Sequence, residues 1–266
     1  MTLPADIPDK TLRGTAKLMK LYKYRDFSNP SDTDFARLET LLSGQAFWCA
    51  RPDTLNDPVE FAWTCDYSTT AETMDLLTEL LIRAHGRTRE EARDLVARKV
   101  EARGLETLAQ ASIADIIQKC RNEIGLVCFG TSPDNEILWQ RYGGAGAGVC
   151  IELDVPENLL EVQLHRVQYL DAKTIHIDQL IRAYLDRTHG GEVYTLALLS
   201  KPSSWAAEAE IRFVSQVQGV SVVVDGSQIT RLILGDALPP SVRQRIEAIA
   251  TGLPVASRTR QQERQT

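Results

Sequence analysis

The chain has 266 residues, of which 43% are hydrophobic and 25% are charged. This balance is typical of a folded globular protein and excludes a chain that is disordered along most of its length. The formal net charge of -6, from 30 Lys and Arg against 36 Asp and Glu, argues against a protein that coats nucleic acid or anionic membrane through bulk charge.

The N-terminal part of the chain predicts a strand at 18–24, a helix at 31–42 and a second strand at 45–49. Ser31 stands where a helix N-cap is expected, and Gly44 stands where the C-cap is expected. The segment that follows is rich in turn-forming residues bracketed by apolar ones. We therefore expect a structured loop there, not a flexible linker.

A block from about residue 68 to residue 123 differs in composition from the rest of the chain. No Phe, Tyr or Trp occurs from residue 68 through 128, and apolar residues such as Leu76, Leu77, Leu80 and Leu81 recur with helical spacing. The charges in this block are nearly balanced and spread over the helical faces, which is typical of solvated surface. The block is therefore predicted to be a helical insertion.

A run of glycines, from Gly143 to Gly148, lies between a predicted helix at 135–142 and a predicted strand. Phosphate-binding loops need the opposite order, with the glycines after a strand and before a helix. The pattern therefore argues against a Rossmann or P-loop site. It favours a tight turn with close backbone approach.

The C-terminal half predicts short strands near 166–169 and at 209–215, 220–225 and 230–234, with helices at 177–187, 192–199 and 241–250. Short connections favour antiparallel pairing among the last strands. We expect an α+β fold with a mixed, largely antiparallel sheet, flanking helices and the insertion at about 68–123. The chain is interpreted as a single domain, 1–256, followed by a polar, disordered tail, 257–266.

The segment around Glu208, Glu210 and Arg212 is the most informative part of the sequence. If it is one strand, these three side chains share a face, because successive strand residues point to opposite sides. A charged strand face is either a solvated edge or the floor of a polar cleft. The pattern leaves both interpretations open.

The cysteines, the histidines and the lengths of the apolar runs indicate the cellular compartment and argue against a zinc site. The five cysteines form no CxxC pair and the four histidines show no metal-ligand spacing, so we expect free thiols and no preformed zinc site. No stretch of about 18 apolar residues occurs, and the first ten residues lack the apolar core of a signal peptide. We expect a cytoplasmic protein with no membrane partner.

Four stretches in order resemble the bacterial domain-of-unknown-function family 2971, over about residues 18–236. They are Leu21 to Arg25, Leu55-Asn56-Asp57-Pro58-Val59-Glu60, Leu138 to Tyr142 with Gly148 to Glu152, and Lys201 with Trp205 to Arg212. The resemblance implies a phage-defence or toxin-type effector or regulator. It further implies a nucleotide or nucleic-acid substrate and a partner protein from a defence system.

The Glu-x-Glu motif and the early strand with Tyr22 and Tyr24 also resemble the ADP-ribosyltransferase superfamily. That resemblance implies NAD as a substrate, with no firmly held cofactor and no metal. Glu210 would stabilise an oxocarbenium-like ribose, Glu208 would orient or deprotonate the acceptor, and Arg25 would hold phosphate oxygens. The remaining candidate substrate-binding residues are Tyr22, Lys23, Tyr24, Asn56, Asp57, Glu60, Trp139, Tyr142, Glu152, Trp205 and Arg212.

Two alternatives stay open. The first is a metal-dependent nuclease or phosphodiesterase. In such an enzyme, carboxylates would bind Mg²⁺ while Lys23 or Lys201 stabilises the charge of the phosphate. Those candidate ligands are Asp57, Glu60, Glu152, Asp154, Glu208 and Glu210. In the second, a non-catalytic binding or regulatory module of a defence system, the charged strand face would be an exposed salt-bridge ladder and Asn56-Asp57-Pro58 only a turn.

Overall fold

The computed structural model describes residues 17–56, 64–107, 109–110, 118, 122–160, 162–172, 174–185 and 198–258. The predicted site residues Asp57 and Glu60 lie outside this part of the chain, as does most of the predicted helix at 192–199. No described helix is both long enough and apolar enough to span a bilayer.

The strands and helices follow one another in mixed order along the chain. The strands are β1 Leu18–Asp26, β2 Ala46–Cys49, β3 Thr64–Asp66, β4 Gly125–Phe129, β5 Gly148–Pro156, β6 Leu164–Arg166, β7 Gln168–Leu170, β8 Thr174–His176, β9 Ser200–Pro202, β10 Ile211–Ser215, β11 Val220–Val223, β12 Gln228–Leu234 and β13 Val255–Ser257. The helices are α1 Asp32–Gly44, α2 Ala71–His85, α3 Arg89–Arg103, α4 Glu136–Tyr142, α5 Ile177–Leu185 and α6 Pro240–Ile249.

The strands pair mainly in antiparallel fashion. A four-stranded sheet has the order β1-β5-β12-β13, and a three-stranded sheet has the order β4-β10-β6. Parallel pairing is seen between β12 and β13, β3 and β8, and β7 and β9. Two backbone hydrogen bonds between Tyr22 and Gly130 join the first sheet to the end of β4. The predicted α+β fold with mixed, largely antiparallel pairing is confirmed.

The alternation of β1 sends its side chains into two different apolar clusters. Leu21 packs in the main core, which also contains Leu38 of α1. Tyr22 and Tyr24 point to the other side and pack with Trp139 of α4. Because β1 contributes to both clusters, it fixes α4 relative to the core. The middle residues of β1 therefore lie between the two clusters.

The predicted helical insertion is confirmed in α2 and α3. The side chains of Thr70 and Thr88 accept hydrogen bonds from the third backbone N–H of each helix, which satisfies donors that would otherwise lack partners. Gly86 ends α2 in the left-handed conformation, at φ 61°, which glycine adopts without steric cost. α2 packs against α3 and α5.

The glycine run between α4 and β5 is a tight turn, as predicted. Gly144 and Gly146 have φ values of 58° and 94°, and a Cβ on Gly148 would lie 2.2 Å from the backbone oxygen of Arg25. Such an approach is possible only without a side chain. The turn therefore ties the end of β1 to the start of β5.

The predicted strand at 209–215 begins later than expected. Ser203–Glu208 forms a 3₁₀ helix, and Ala209 then adopts the left-handed conformation at φ 46°. This conformation breaks the extended backbone, so β10 starts only at Ile211. The prediction that Glu208, Glu210 and Arg212 alternate along one strand is therefore wrong, because Glu208 belongs to the preceding turn.

At the C-terminus, two residues of the predicted tail belong to the folded part. Ser257 ends β13, and the backbone N–H of Arg258 donates to the backbone oxygen of Leu234 at 2.7 Å. The Arg258 side chain lies over the ring of Trp139 and pairs with Glu136 of α4. The remaining predicted tail, 259–266, lies outside the described residues.

Candidate functional site

A cavity of about 160 Å³ lies between β1, β4, α4 and the segment that leads into β10. Apolar side chains, among them Leu55, Phe129 and Leu138, form part of its wall. The polar part of the wall contains most of the described site residues predicted from the sequence. They are Tyr22, Lys23, Tyr24, Asn56, Tyr142, Glu208, Glu210 and Arg212.

The two carboxylates are held by buried cations. Lys201 Nζ lies 2.8 Å from Glu208 Oε2 and 2.6 Å from Glu210 Oε2. Arg212 Nε donates to Glu210 Oε1 at 2.8 Å. The relative exposures of Lys201, Glu208, Glu210 and Arg212 are 4%, 1%, 6% and 0%. These four residues, the ionic cluster, therefore form one buried network.

This burial overturns one interpretation of the charged residues. An exposed salt-bridge ladder on a solvated strand face is contradicted, because every member of the ionic cluster is shielded from solvent. Buried charges are costly unless they are paired and hydrogen-bonded. The charged pattern is thus the wall of a cavity, which was the other interpretation of the same residues.

The turn at Ala209 brings both glutamates to the same lysine. Glu208 ends the 3₁₀ helix, the left-handed residue reverses the chain locally, and Glu210 precedes β10. The backbone N–H of Glu210 donates to the Tyr169 hydroxyl at 2.8 Å, which anchors the turn to β7. Lys201 reaches the site from β9, which pairs with β7 at Tyr169.

A second layer of contacts surrounds Glu208. Arg141 donates to Glu208 Oε1 at 2.9 Å, and the Tyr142 hydroxyl donates to the same oxygen at 3.0 Å. The guanidinium carbon of Arg141 lies 4.1 Å from the ring centroid of Trp205. The predicted residue Trp205 therefore contacts the cations of the site from outside and does not line the cavity.

Glu210 and Lys201 stay ionised near neutral pH. Burial alone would raise the pKa of Glu210, but Arg212 and Lys201, with hydrogen bonds from Arg212 and Cys128, lower it to about 2. Burial lowers the pKa of Lys201, but Glu210 and the hydrogen bonds to both glutamates outweigh that effect and raise it. Burial and the nearby Glu210 charge raise the pKa of the Cys128 thiol to about 12.

The charged side chains that line the cavity do not cancel. Lys23, Lys201 and Arg212 are cationic, while Glu208 and Glu210 are anionic. The described lining is therefore formally positive by one unit, and Arg141 contacts Glu208 from outside it. In a cavity wall that is partly apolar, such an excess favours an anionic occupant.

One polar group of the cavity wall has hydrogen-bonding capacity left. Lys23 Nζ donates to the backbone oxygen of Cys128 at 3.0 Å, which uses one of the three donors of an ammonium. Tyr22 also lines the cavity, but its hydroxyl interacts with Glu152 and Lys20, which lie outside it.

Besides Trp205, the predicted site residues Arg25 and Trp139 do not line the cavity. The side chain of Arg25 is half-buried and interacts with Arg37 and Asp34 of α1, so the structure does not place it in the cavity wall. Trp139 is fully buried in the core behind Tyr24, with a ring-centroid distance of 5.2 Å. These positions follow from the alternation of β1 and from the packing of α4.

Glu152 also lies outside the cavity. Its carboxylate accepts from Lys20 at 2.8 Å and from Arg231, across the β1-β5-β12 surface. Its own burial would raise its pKa, but those two cations lower it. Glu152 is thus a member of a cross-strand ion pair network and has no direct part in the site.

Two site residues, Arg141 and Cys128, were not singled out from the sequence, and Lys201 was considered only as a charge-stabilising group. Lys201 follows Leu198, Leu199 and Ser200, all buried. A lone lysine in an apolar run is a signal for a buried ion pair. Arg141 and Cys128 carry no such signal, because their roles depend on contacts with distant Glu208 and Glu210.

Within the part of the chain that the structure describes, no group of three or more His, Cys, Asp or Glu is arranged to hold a metal ion. The carboxylates of the cavity are bound by Lys201 and Arg212 instead. Comparisons of the chain with protein-family models, with curated proteins and with solved structures gave no match. The resemblances noted in the sequence stay predictions.

Proposed function

We propose that the protein is a binding module for a small anionic ligand, which occupies the cavity beside β1. The observation that carries this proposal is the set of charged side chains that line the cavity, in which Lys23, Lys201 and Arg212 outnumber Glu208 and Glu210 by one. Both glutamates are already paired, so the positive excess is what a ligand in the cavity would meet. An anionic group would be stabilised there by charge and by hydrogen bonds.

The size of the cavity supports a compact ligand. A volume of about 160 Å³ is close to that of engineered apolar cavities of roughly 150 Å³, which admit benzene. The apolar side chains of Leu55, Phe129 and Leu138 suit the faces of one ring, while the Lys23 amine supplies donors. A ligand with one ring and one anionic group matches this wall.

A panel of simple ring compounds tests the proposal. We expect benzoate and phenyl phosphate to raise the melting temperature at millimolar concentration, and benzamide to have a much smaller effect, since it lacks the charge. Leu55→Trp should fill the cavity without touching the ionic cluster and abolish the shift. Val162→Trp, at an exposed position away from the cavity, is the matched control. Equal shifts from benzamide would contradict the proposal.

ADP-ribosyl transfer is a second candidate, because Tyr22, Tyr24 and both glutamates of the motif share the cavity. A catalytic carboxylate must offer an oxygen to the ribose. The two oxygens of Glu210 instead contact Arg212 and Lys201, and a cavity this small would hold only one ring of NAD. Nicotinamide release from NAD by the wild-type chain would favour transfer over binding alone, and its absence would favour binding.

The nuclease alternative receives less support from the described residues. Glu152 and Asp154 are bridged by Lys20 at 2.8 and 2.9 Å, outside the cavity.

A role as effector or regulator in phage defence is compatible with ligand binding, because a sensor of a small anion fits such a system. That role rests on the family resemblance alone.

A further inference from the structure

Lys23 is a lysine in the cavity wall that the ionic cluster does not use. It lies in the middle of β1 between Tyr22 and Tyr24, and its Nζ is fixed by one hydrogen bond to the backbone oxygen of Cys128 at 3.0 Å. Within the described residues it has no carboxylate within ion-pair distance. Lys23 as a whole is half-buried, and a lysine placed in a cavity wall without a counter-ion is unusual, since lysines withdrawn from solvent are generally paired.

Lys201 provides an internal comparison in the same cavity. Its Nζ contacts two carboxylates, at 2.8 and 2.6 Å, and its pKa is raised because Glu210 and the hydrogen bonds outweigh burial. For Lys23, burial lowers the pKa, and the charge of Arg25 lowers it further. The groups that act in the opposite direction are Cys128, Glu210 and Cys49, and burial outweighs them.

The two lysines therefore differ in chemistry. Lys201 is held as an ammonium, which has no lone pair to donate. A lysine that is desolvated and close to another cation holds a larger fraction of neutral amine, which is how nucleophilic lysines are activated. The hydrogen bond to the Cys128 carbonyl orients Nζ while leaving its other positions open to the cavity.

We infer that Lys23 forms an imine with the aldehyde or ketone group of a small ligand bound in the cavity. The amine nitrogen attacks the carbonyl carbon, and the carbonyl π bond opens to a carbinolamine. Loss of water, which takes the former carbonyl oxygen and the two amine hydrogens, leaves the carbon–nitrogen double bond. This inference rests on the proposed binding function, and the anionic group of the ligand would face Lys201 and Arg212.

The probe that tests this inference is 4-carboxybenzaldehyde, which joins one ring, one carboxylate and one aldehyde. The full chain is incubated with it, and sodium cyanoborohydride then adds hydride to any imine and leaves a stable secondary amine. Peptide mass spectrometry locates the modified lysine. We expect label on Lys23 at about tenfold or more over Lys201, because the pKa of Lys201 is raised while that of Lys23 is lowered, and each pKa unit changes the neutral fraction about tenfold. The exposed Lys99 should carry less label than Lys23.

Controls separate this inference from the binding function on which it rests. Lys23→Met, of similar length, should lose the label while Lys99→Met retains it, and Leu55→Trp should block labelling. The wild-type ratio of Lys23 to Lys201 label does not depend on whether a variant folds. Label that is absent from Lys23 while benzoate still raises the melting temperature overturns the imine alone. Absence of both effects overturns the binding proposal as well.

Discussion

Glu210 shows most clearly how a single residue depends on its surroundings. It is almost fully buried, yet it stays ionised because Arg212 and Lys201 lie against its two oxygens. The free energy of burying the carboxylate is offset only while both cations are in place. The reverse also holds, because each cation depends on this carboxylate.

Replacement of Glu210 by Gln should therefore destabilise the fold strongly. Removing one partner of a buried ion pair leaves an uncompensated charge, which costs about 3–5 kcal/mol. Urea unfolding of Glu210→Gln against Glu39→Gln, an exposed glutamate on α1, measures the effect. A loss no larger than that of the surface control would show that the ionic cluster does not hold the site together.

The acid stability of the protein should reflect the same carboxylate. The pKa of Glu210 is about 2 in the folded chain against an ordinary 4.5. Between pH 2 and pH 4.5 the unfolded state therefore binds more protons than the folded state. Its contribution to the free energy of unfolding is complete above pH 4.5 and is lost as the pH falls towards 2. The difference in stability between wild type and Glu210→Gln should shrink over this range. A difference that is constant with pH would contradict the assignment.

At the level of secondary-structure elements, the site is formed by a break in a strand. The sequence around 209–215 alternates like a strand, and the prediction was wrong at its start because Ala209 takes a left-handed conformation. An alanine gives no sequence signal for a left-handed conformation. Here the conformation is imposed by tertiary contacts such as the hydrogen bond from Glu210 to Tyr169. β1 and the insertion were predicted correctly because their patterns are local.

Ala209→Gly should stabilise the protein, or leave it unchanged, by relieving the left-handed strain. The left-handed conformation costs a residue with a Cβ roughly 1–2 kcal/mol. Glycine avoids this cost, but part of the gain is offset because glycine loses more conformational entropy on folding. Ala97→Gly, at an exposed position inside α3, is the matched control and should destabilise by about 1 kcal/mol. Thermal unfolding of both variants measures the contrast, and an equal loss in the two would show that Ala209 is not strained.

For the whole molecule, local patterns predicted more of the fold than of the site. The α+β class and the helical insertion follow from apolar periodicity. The ionic cluster instead joins Arg141, Lys201 and Glu208 from separate elements, and a single sequence does not state which distant charges meet. For the same reason Arg25 was expected in the cavity, although its side chain lies against α1.

The central claim is that the cavity beside β1 binds a small anion carried on one ring. Saturation-transfer NMR on an equimolar mixture of benzoate and benzamide with the full chain tests it most directly, because both compounds compete under identical conditions. We expect strong transfer to benzoate, weak transfer to benzamide, and loss of the benzoate signal in Leu55→Trp but not in Val162→Trp. Equal transfer to both compounds, or a benzoate signal that survives in Leu55→Trp, would contradict the claim.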